Sequence, residues 1–145
     1  MAEVPRDGLV AVVKRDCPTC VLAAPVLGEL AQRVGLAVYT QDDPGFPETV
    51  PGRIDDTALD VSYRLGIEIV PTLIRFAGGR EVARTHGWDR AEWQRLTGLG
   101  DIGAGLPALQ PGCGARNVEP GVVERLKVRF DETGLTSRRI EIGDG

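Results

Sequence analysis

Apolar positions in the first forty residues follow two different patterns, one typical of a strand and one of a helix. Residues 9–13 form an unbroken, β-branched apolar run, which predicts a buried strand. Further along, apolar residues recur at steps of three and four and predict a helix that ends before Gly35: Val21, Leu22, Val26, Leu27, Leu30, Ala31 and Val34. Pro25 lies inside this helix and is expected to kink it. Residues 36–40 predict a second strand, and the order strand, helix, strand favours a parallel βαβ unit.

Beyond residue 40 the pattern predicts a long Pro- and Gly-rich loop at 41–56, followed by a short helix at 57–65. A strand is predicted from Thr72, and the Gly78-Gly79 pair predicts a hairpin into a second strand at 81–85. Asp55 or Asp56 is expected to cap the short helix, and Gly66 to end it. Pro71 is placed at the start of its strand, where a missing N–H is tolerated.

Another helix is predicted after Asp89, which forms a capping box with Glu92. Trp88 and Trp93 flank this box and are expected to pack together at the helix start rather than to bind a ligand. From residue 97 the composition becomes rich in Gly and Pro, so we divide the chain into a domain at 1–97 and an extension at 98–145. The extension is predicted to hold an irregular linker, a short helix around 122–130 and a short strand at 140–142.

Composition and charge exclude several classes of protein. The chain has 145 residues, 42% hydrophobic and 26% charged, with a net charge of −4, which is typical of a globular protein. Its basic residues are not clustered, so nucleic acid is not expected as a partner. The longest apolar run, 20–27, is far shorter than the roughly 18 residues of a membrane span. Residues 1–16 lack a signal-peptide pattern, and a cytoplasmic location is expected.

Two of the three cysteines form the motif Cys17-Pro18-Thr19-Cys20. In a reducing compartment such a pair indicates redox or metal chemistry rather than a structural disulfide. Pro18 suits the first turn of a helix, which places Cys17 at the helix N-terminus, where unpaired N–H groups favour the thiolate. Cys17 is therefore the expected nucleophile. Cys20, one turn later, is close enough to resolve a mixed disulfide.

Two segments in this order resemble the thioredoxin-like family. Residues 17–31, with Pro25 five positions after Cys20, resemble its active-site helix, and residues 65–80 resemble its cis-proline strand with the hairpin after it. The resemblance covers about residues 8–97. It implies an α/β thioredoxin fold with a mixed central sheet flanked by helices and a minimal, glutaredoxin-like N-terminus. Asp16 and Pro18-Thr19 replace the tryptophan and Gly-Pro of ordinary thioredoxins.

The resemblance also implies a function, that of a thiol–disulfide oxidoreductase. Its electrons would reside in the two sulfurs of Cys17 and Cys20, which form a redox-active disulfide when oxidised, without a bound cofactor or metal. The Val70–Pro71 bond would be cis and would present the Val70 backbone to an incoming chain. Expected partners are a disulfide-containing protein or a low-molecular-weight thiol, together with an external reductase.

Other residues leave alternatives open. Asp16 is either a solvated loop acid or a proton acceptor during exchange. Cys113 lies between glycines, which predicts an exposed loop, and it is either an incidental thiol or a third redox or docking thiol. His86 is expected to be structural, or else to join the three cysteines in a zinc site. Two alternative functions result: an interaction module that serves one partner enzyme through the 98–145 extension, and a structural zinc domain.

Overall fold

The structure is a computed structural model that describes residues 4–132. The strand predicted at 140–142 lies outside the described residues. The strands are β1 (Gly8–Val13), β2 (Ala37–Thr40), β3 (Ile54–Asp55), β4 (Ile69–Val70), β5 (Thr72–Ala77), β6 (Arg80–His86), β7 (Trp88–Asp89), β8 (Leu109–Gln110) and β9 (Cys113–Gly114). The α-helices are α1 (Pro18–Arg33), α2 (Asp60–Arg64), α3 (Arg90–Thr97) and α4 (Val122–Glu132), and a 3₁₀ turn spans Arg116–Val118.

Five strands form a mixed central sheet in the order β3-β2-β1-β5-β6. β1 pairs in parallel with β2, as the βαβ prediction required, and antiparallel with β5, which continues through the Gly78-Gly79 turn into β6. The protein is therefore α/β with a mixed central sheet flanked by helices, as predicted at this level. Two smaller sheets pair β4 with β9 and β7 with β8.

The hydrophobic core forms around β1 and α1. Residues 9–13 are all buried, which explains their unbroken apolar sequence, since a central strand covered on both faces has no solvent side. α1 contributes its buried face, including Ala23, Leu27 and Leu30. Pro25 lies inside the helix, as predicted. This packing fixes the first turn of α1 against the sheet.

The region at 41–65 differs from its prediction in three ways. Ile54 and Asp55 pair in parallel with β2, so the predicted loop contains a short strand. α2 begins at Asp60 rather than near residue 57, because Leu59 has a left-handed backbone (φ 66°) that ends the preceding turn. The N-cap residue is Leu59, so the predicted cap at Asp55 or Asp56 was wrong, although the Asp56 carboxylate accepts hydrogen bonds from the N–H groups of Val61 and Ser62 in the first turn, both at 2.9 Å.

The start of α3 agrees with its prediction in part. The Asp89 side chain accepts a hydrogen bond from the Glu92 N–H, and the rings of Trp88 and Trp93 lie 5.0 Å apart and are fully buried. The reciprocal half of the capping box was wrong, because the Glu92 carboxylate pairs with Arg95 instead. The tryptophans pack at the helix start, as expected.

Within the described part of the chain, residues after 97 pair with β4 and β7 and place Ile102 and Ala115 in the hydrophobic core. The segment predicted as an irregular linker contains the short strands β8 and β9, which pair with β7 and β4. The predicted helix at 122–130 is present as α4, with Leu126 and Phe130 buried against Leu59. Among the described residues, none of the helices has the length and apolar character needed to cross a membrane.

Candidate active site

Cys17 is the N-cap residue of α1, and Pro18 occupies the first turn, as the sequence predicts. The Cys17 backbone is extended (φ −163°, ψ 108°), and its sulfur accepts a hydrogen bond from the Cys20 N–H at 3.3 Å. A sulfur in this position accepts a hydrogen bond from one of the N–H groups of the first turn that have no partner within the helix, as a capping oxygen does. The helix start thus places a sulfur where negative charge is stabilised.

Cys20 lies one turn further along α1, beside Cys17. The two cysteines are 3.2 Å apart, and they are not joined by a disulfide. Both are buried, with 1% of Cys17 and none of Cys20 exposed. The structure therefore holds a reduced dithiol in close contact, shielded from solvent.

The ionisation of the two thiols differs strongly. The Cys20 thiol, which hydrogen-bonds to the Cys17 sulfur, is the main cause that lowers the pKa of Cys17 to about 6. Burial opposes this shift, while a hydrogen bond from Cys113 and the backbone N–H groups of Cys20 and Thr19 lower the pKa further. Burial, followed by the hydrogen bond to Cys17, raises the pKa of Cys20 far above its ordinary range. Cys17 is thus the thiolate at neutral pH, and Cys20 holds the proton.

Val70 and Pro71 lie directly against the dithiol. The Val70–Pro71 peptide bond is cis, as the resemblance implies. The Val70 carbonyl oxygen lies 3.6 Å from the Cys17 sulfur and accepts its S–H when the thiol is protonated. The backbone of Val70 is not open to an incoming chain, however, because it pairs antiparallel with Cys113 of the same molecule.

Cys113 is not on an exposed loop, and that prediction was wrong. It is partly buried and lies in β9 directly opposite Val70, whose carbonyl oxygen is 3.6 Å from the Cys17 sulfur. Burial is the main cause that raises the pKa of Cys113, followed by its contact with Cys17, whereas the charge of Lys14 lowers it. Exposure therefore increases from Cys20, which is fully buried, through Cys17 at 1% to the partly exposed Cys113.

Residues 109–114, which we term the covering segment, lie over the dithiol and are held there by polar contacts that the sequence does not reveal. The Thr19 hydroxyl donates to the Pro111 carbonyl oxygen at 2.6 Å and accepts from the Gln110 amide at 3.0 Å. The middle of the Cys-Pro-Thr-Cys motif is thus bonded to a segment about ninety residues away in the chain.

Gly112 lets the covering segment approach the cis-proline strand. A Cβ at this position would lie 2.5 Å from the Val70 carbonyl oxygen and 2.5 Å from the side chain of Ile69. Gly87 faces it, and a Cβ there would lie 2.8 Å from the Gly112 nitrogen. The glycine beside Cys113 therefore marks close packing rather than a solvent-exposed turn. Gly114, on the other side of Cys113, has open space around it.

A buried polar cluster fixes the chain immediately after the covering segment. The Gln41 amide donates to Asn117 and to Ser62, both at 2.9 Å, and its carbonyl oxygen accepts from the Arg116 N–H. The Asn117 amide donates to the Ile67 carbonyl oxygen at 2.7 Å. Gln41, Ser62 and Asn117 are all buried. Because buried polar groups are expensive to leave unpaired, this cluster holds residues 116–117 against the core.

Of the charged residues near the motif, Lys14 acts on Cys113 through its charge, whereas Arg15 and Asp16 make their contacts elsewhere. The side chain of Asp16 is exposed, and its backbone N–H donates to the Asp42 carboxylate at 2.9 Å. Arg15 pairs with Asp43 and Glu48. His86 is exposed, and its Nδ1 lies 3.3 Å from the Thr72 hydroxyl. Within residues 4–132 no three or more His, Cys, Asp and Glu side chains are grouped to hold a metal ion, so the zinc set is not assembled there.

Comparison with known proteins adds no assignment. No family model matches this sequence, and no curated protein matches it either. A function for this chain must therefore be inferred from the chemistry of the three sulfurs and their surroundings.

Proposed function

We propose that this protein is a thioredoxin-like thiol–disulfide oxidoreductase that reduces or exchanges disulfides through Cys17 and Cys20. One observation carries the proposal: Cys17 lies at a helix N-terminus with a lowered pKa, and Cys20, which keeps its proton, is 3.2 Å away. Thiolates are the reactive species in disulfide exchange, and this arrangement provides one thiolate and one reserve thiol. The βαβ unit followed by an antiparallel hairpin supports the thioredoxin-like fold.

The reaction balances with the two cysteines and one proton from solvent. The Cys17 thiolate attacks one sulfur of a substrate disulfide, forms a mixed disulfide and releases the other sulfur as a thiolate, which takes a proton from solvent. Cys20 then attacks the Cys17 sulfur, which forms the Cys17–Cys20 disulfide and releases the second substrate thiol. Formation of the mixed disulfide removes the negative charge of Cys17, which is one of the causes that keep the pKa of Cys20 high. Cys20 therefore becomes easier to deprotonate at the step that requires it.

The partners that fit this chemistry are a disulfide-containing protein or a low-molecular-weight disulfide, with an external reductase or thiol to regenerate the dithiol. A reducing compartment such as the cytoplasm suits free cysteines that act as a redox pair. Asp16, whose side chain faces solvent, has no step in this mechanism.

The proposal is tested by a titration in redox buffers, followed by alkylation and mass mapping of all three cysteines. A Cys17–Cys20 disulfide that forms at a defined potential is expected, and that potential determines whether the protein reduces or oxidises its substrates. The Cys17→Ser variant is the control and should lose this disulfide. If the wild-type protein forms no disulfide in oxidising buffer, the proposal is wrong.

A second candidate function, a module dedicated to one partner enzyme, is favoured by the self-paired Val70 strand. A general protein reductase needs a free backbone at this position to bind extended substrates. Comparison of insulin with oxidised glutathione as substrates separates the two functions. A module dedicated to one partner should reduce both substrates poorly, whereas the oxidoreductase proposed above should reduce at least one of them readily.

A further inference from the structure

The covering segment pairs with the Val70 strand, which the thioredoxin-like resemblance assigns to an incoming chain. Its strand β9 pairs antiparallel with β4, with Cys113 directly opposite Val70. Val70, which Cys113 faces across this pairing, places its carbonyl oxygen 3.6 Å from the Cys17 sulfur, so Cys113 lies beside the dithiol. The chain thus presents its own cysteine to Cys17 in the orientation of an extended peptide added to a strand.

The covering segment is fixed on both sides of Cys113. On one side Thr19 bonds to Gln110 and Pro111, and on the other the buried Gln41 cluster holds Arg116 and Asn117. The close contact of Gly112 with Ile69 and Val70 lies between them. Displacement of this segment would break several buried hydrogen bonds at once, so the arrangement favours a segment that stays in place during the reaction.

With the segment in place, only one of the three sulfurs belongs to a residue that meets solvent. Cys17 is 1% exposed and Cys20 is fully buried, whereas Cys113 is partly exposed. Exchange requires an attacking sulfur to reach a disulfide in line with its S–S bond, which a covered sulfur cannot do.

We infer that Cys113 is a third redox thiol through which external disulfides exchange with the buried Cys17–Cys20 pair. The inference rests on the proposed function and changes one step of it, since the disulfide that Cys17 attacks is then the mixed disulfide on Cys113 rather than the external disulfide itself. The inference also defines the substrate class. A substrate disulfide must reach Cys113 although the backbone of its chain cannot form strand hydrogen bonds with Val70. Low-molecular-weight disulfides, and protein disulfides exposed at a surface, meet this requirement.

The exchange proceeds in three balanced steps. Cys113 loses its proton to solvent and attacks the external disulfide, which releases one thiolate that takes a proton from solvent. The Cys17 thiolate then attacks the Cys113 sulfur, so that a Cys17–Cys113 disulfide forms and the second external thiolate leaves and takes a proton from solvent. Cys20 then attacks Cys17, transfers its proton to the departing Cys113 sulfur, and leaves a Cys17–Cys20 disulfide. One external disulfide has been reduced to two thiols, and one dithiol of the protein has been oxidised.

Two experiments test this route with the full chain. In the first, oxidation of reduced protein by oxidised glutathione is quenched at intervals, and the Cys17–Cys20 disulfide is quantified by mass mapping. Cys113→Ser should slow its formation on the order of tenfold or more, because the remaining route requires attack by a sulfur on a residue that is 1% exposed. The matched control is Gly114→Ser, which adds the same side chain at the next position of β9, where there is open space, and keeps the thiol. It should leave the rate unchanged.

The second experiment does not depend on the folding of Cys113→Ser. In Cys20→Ser the last step is blocked, so one equivalent of oxidised glutathione should trap a Cys17–Cys113 disulfide. Glutathione found on Cys17 with Cys113 still reduced would overturn the inference, as would equal oxidation rates for wild type and Cys113→Ser. In both of these outcomes the Cys17–Cys20 disulfide of the wild type still supports the proposed function. If the wild type itself forms no such disulfide, the proposed function and this inference both fail.

Discussion

The Thr19 hydroxyl donates a hydrogen bond of 2.6 Å to the carbonyl oxygen of Pro111, and this contact joins the dithiol motif to the covering segment. Thr19 is buried, and its oxygen also accepts from the Gln110 amide. The second residue between the two cysteines therefore serves to bind another part of the chain. The accessibility of Cys17 depends on this contact.

Replacement of Thr19 by valine tests that dependence. Thr19→Val keeps the shape of the side chain but leaves the Pro111 carbonyl and the Gln110 amide without their partner, so the free energy of unfolding should fall by about 1–3 kcal/mol. The covering segment should loosen, and alkylation of Cys17 by iodoacetamide should become faster. Mass mapping after timed alkylation measures the second effect.

Thr97→Val is the matched control for this prediction. Its buried hydroxyl donates to the Trp93 carbonyl oxygen at 2.7 Å within α3, so its loss also destabilises the fold. It should not change the alkylation rate of Cys17. Equal acceleration in both variants would show that general destabilisation, rather than the Thr19 contact, controls access to the sulfur.

The pH dependence of the dithiol derives from the low pKa of Cys17. The ultraviolet absorbance of the thiolate should rise with a midpoint at a pH of about 6, and this step should be missing from Cys17→Ser. Below this midpoint, disulfide exchange that uses the Cys17 thiolate should fall about tenfold per pH unit, because only the thiolate reacts. A midpoint near the ordinary cysteine value of about 8.5 would contradict the proposed environment of the sulfur.

The same shift affects the stability of the reduced protein. The pKa of Cys17 is lower in the folded chain than in the unfolded chain, so its ionisation stabilises the fold. This contribution is fully present above the unfolded value of about 8.5 and is lost as the pH falls through about 6. The stability difference between wild type and Cys17→Ser should therefore grow as the pH rises over this interval. Chemical denaturation of both proteins at several pH values measures it, and a difference that stays constant over the interval would count against the shift.

The sequence predicted those elements whose structure depends on residues close together in the chain. The apolar run of β1 and the helical spacing of α1 predicted both elements, and the placement of Cys17 at the helix start is a consequence of Pro18 and the periodicity after it. The tryptophan pair at α3 was likewise predicted from neighbouring residues.

The covering segment could not be predicted in this way. β8 and β9 have two residues each, which is too short for any alternation, and they form only because partners distant in the chain are available. Gly112 and Gly114 look alike in the sequence, yet one fits against Val70 and the other faces open space. The polar partners Gln41 and Asn117 lie 76 residues apart, and neither carries a motif that marks it as buried.

These two glycines provide the next prediction. Gly112→Ala places a Cβ 2.5 Å from the Val70 carbonyl oxygen, and backbone must shift to accommodate it. The free energy of unfolding should decrease by roughly 1–3 kcal/mol, and Cys17 should become more accessible to alkylation. Gly114→Ala meets nothing within 4 Å and should change both quantities little. Denaturant unfolding and timed alkylation of the two variants test this, and equal behaviour would mean that the covering segment does not pack against Val70.

Asn117 tests whether the buried polar cluster holds the covering segment in place. Asn117→Ala removes the partner of the Gln41 amide and the donor to the Ile67 carbonyl oxygen, both in the interior. Because each buried group left unpaired is worth about 1–3 kcal/mol, a decrease in the free energy of unfolding of about 2–4 kcal/mol is expected. The neighbouring Val118, whose side chain is exposed, gives the control Val118→Ala, which should change the free energy of unfolding by less than about 0.5 kcal/mol.

In Asn117→Ala, hydrogen exchange at Cys113 and Gly114 should also accelerate, because β9 is no longer fixed on that side. If the protein is destabilised but exchange in β9 is unchanged relative to the rest of the sheet, the cluster stabilises the core without holding the segment over Cys17.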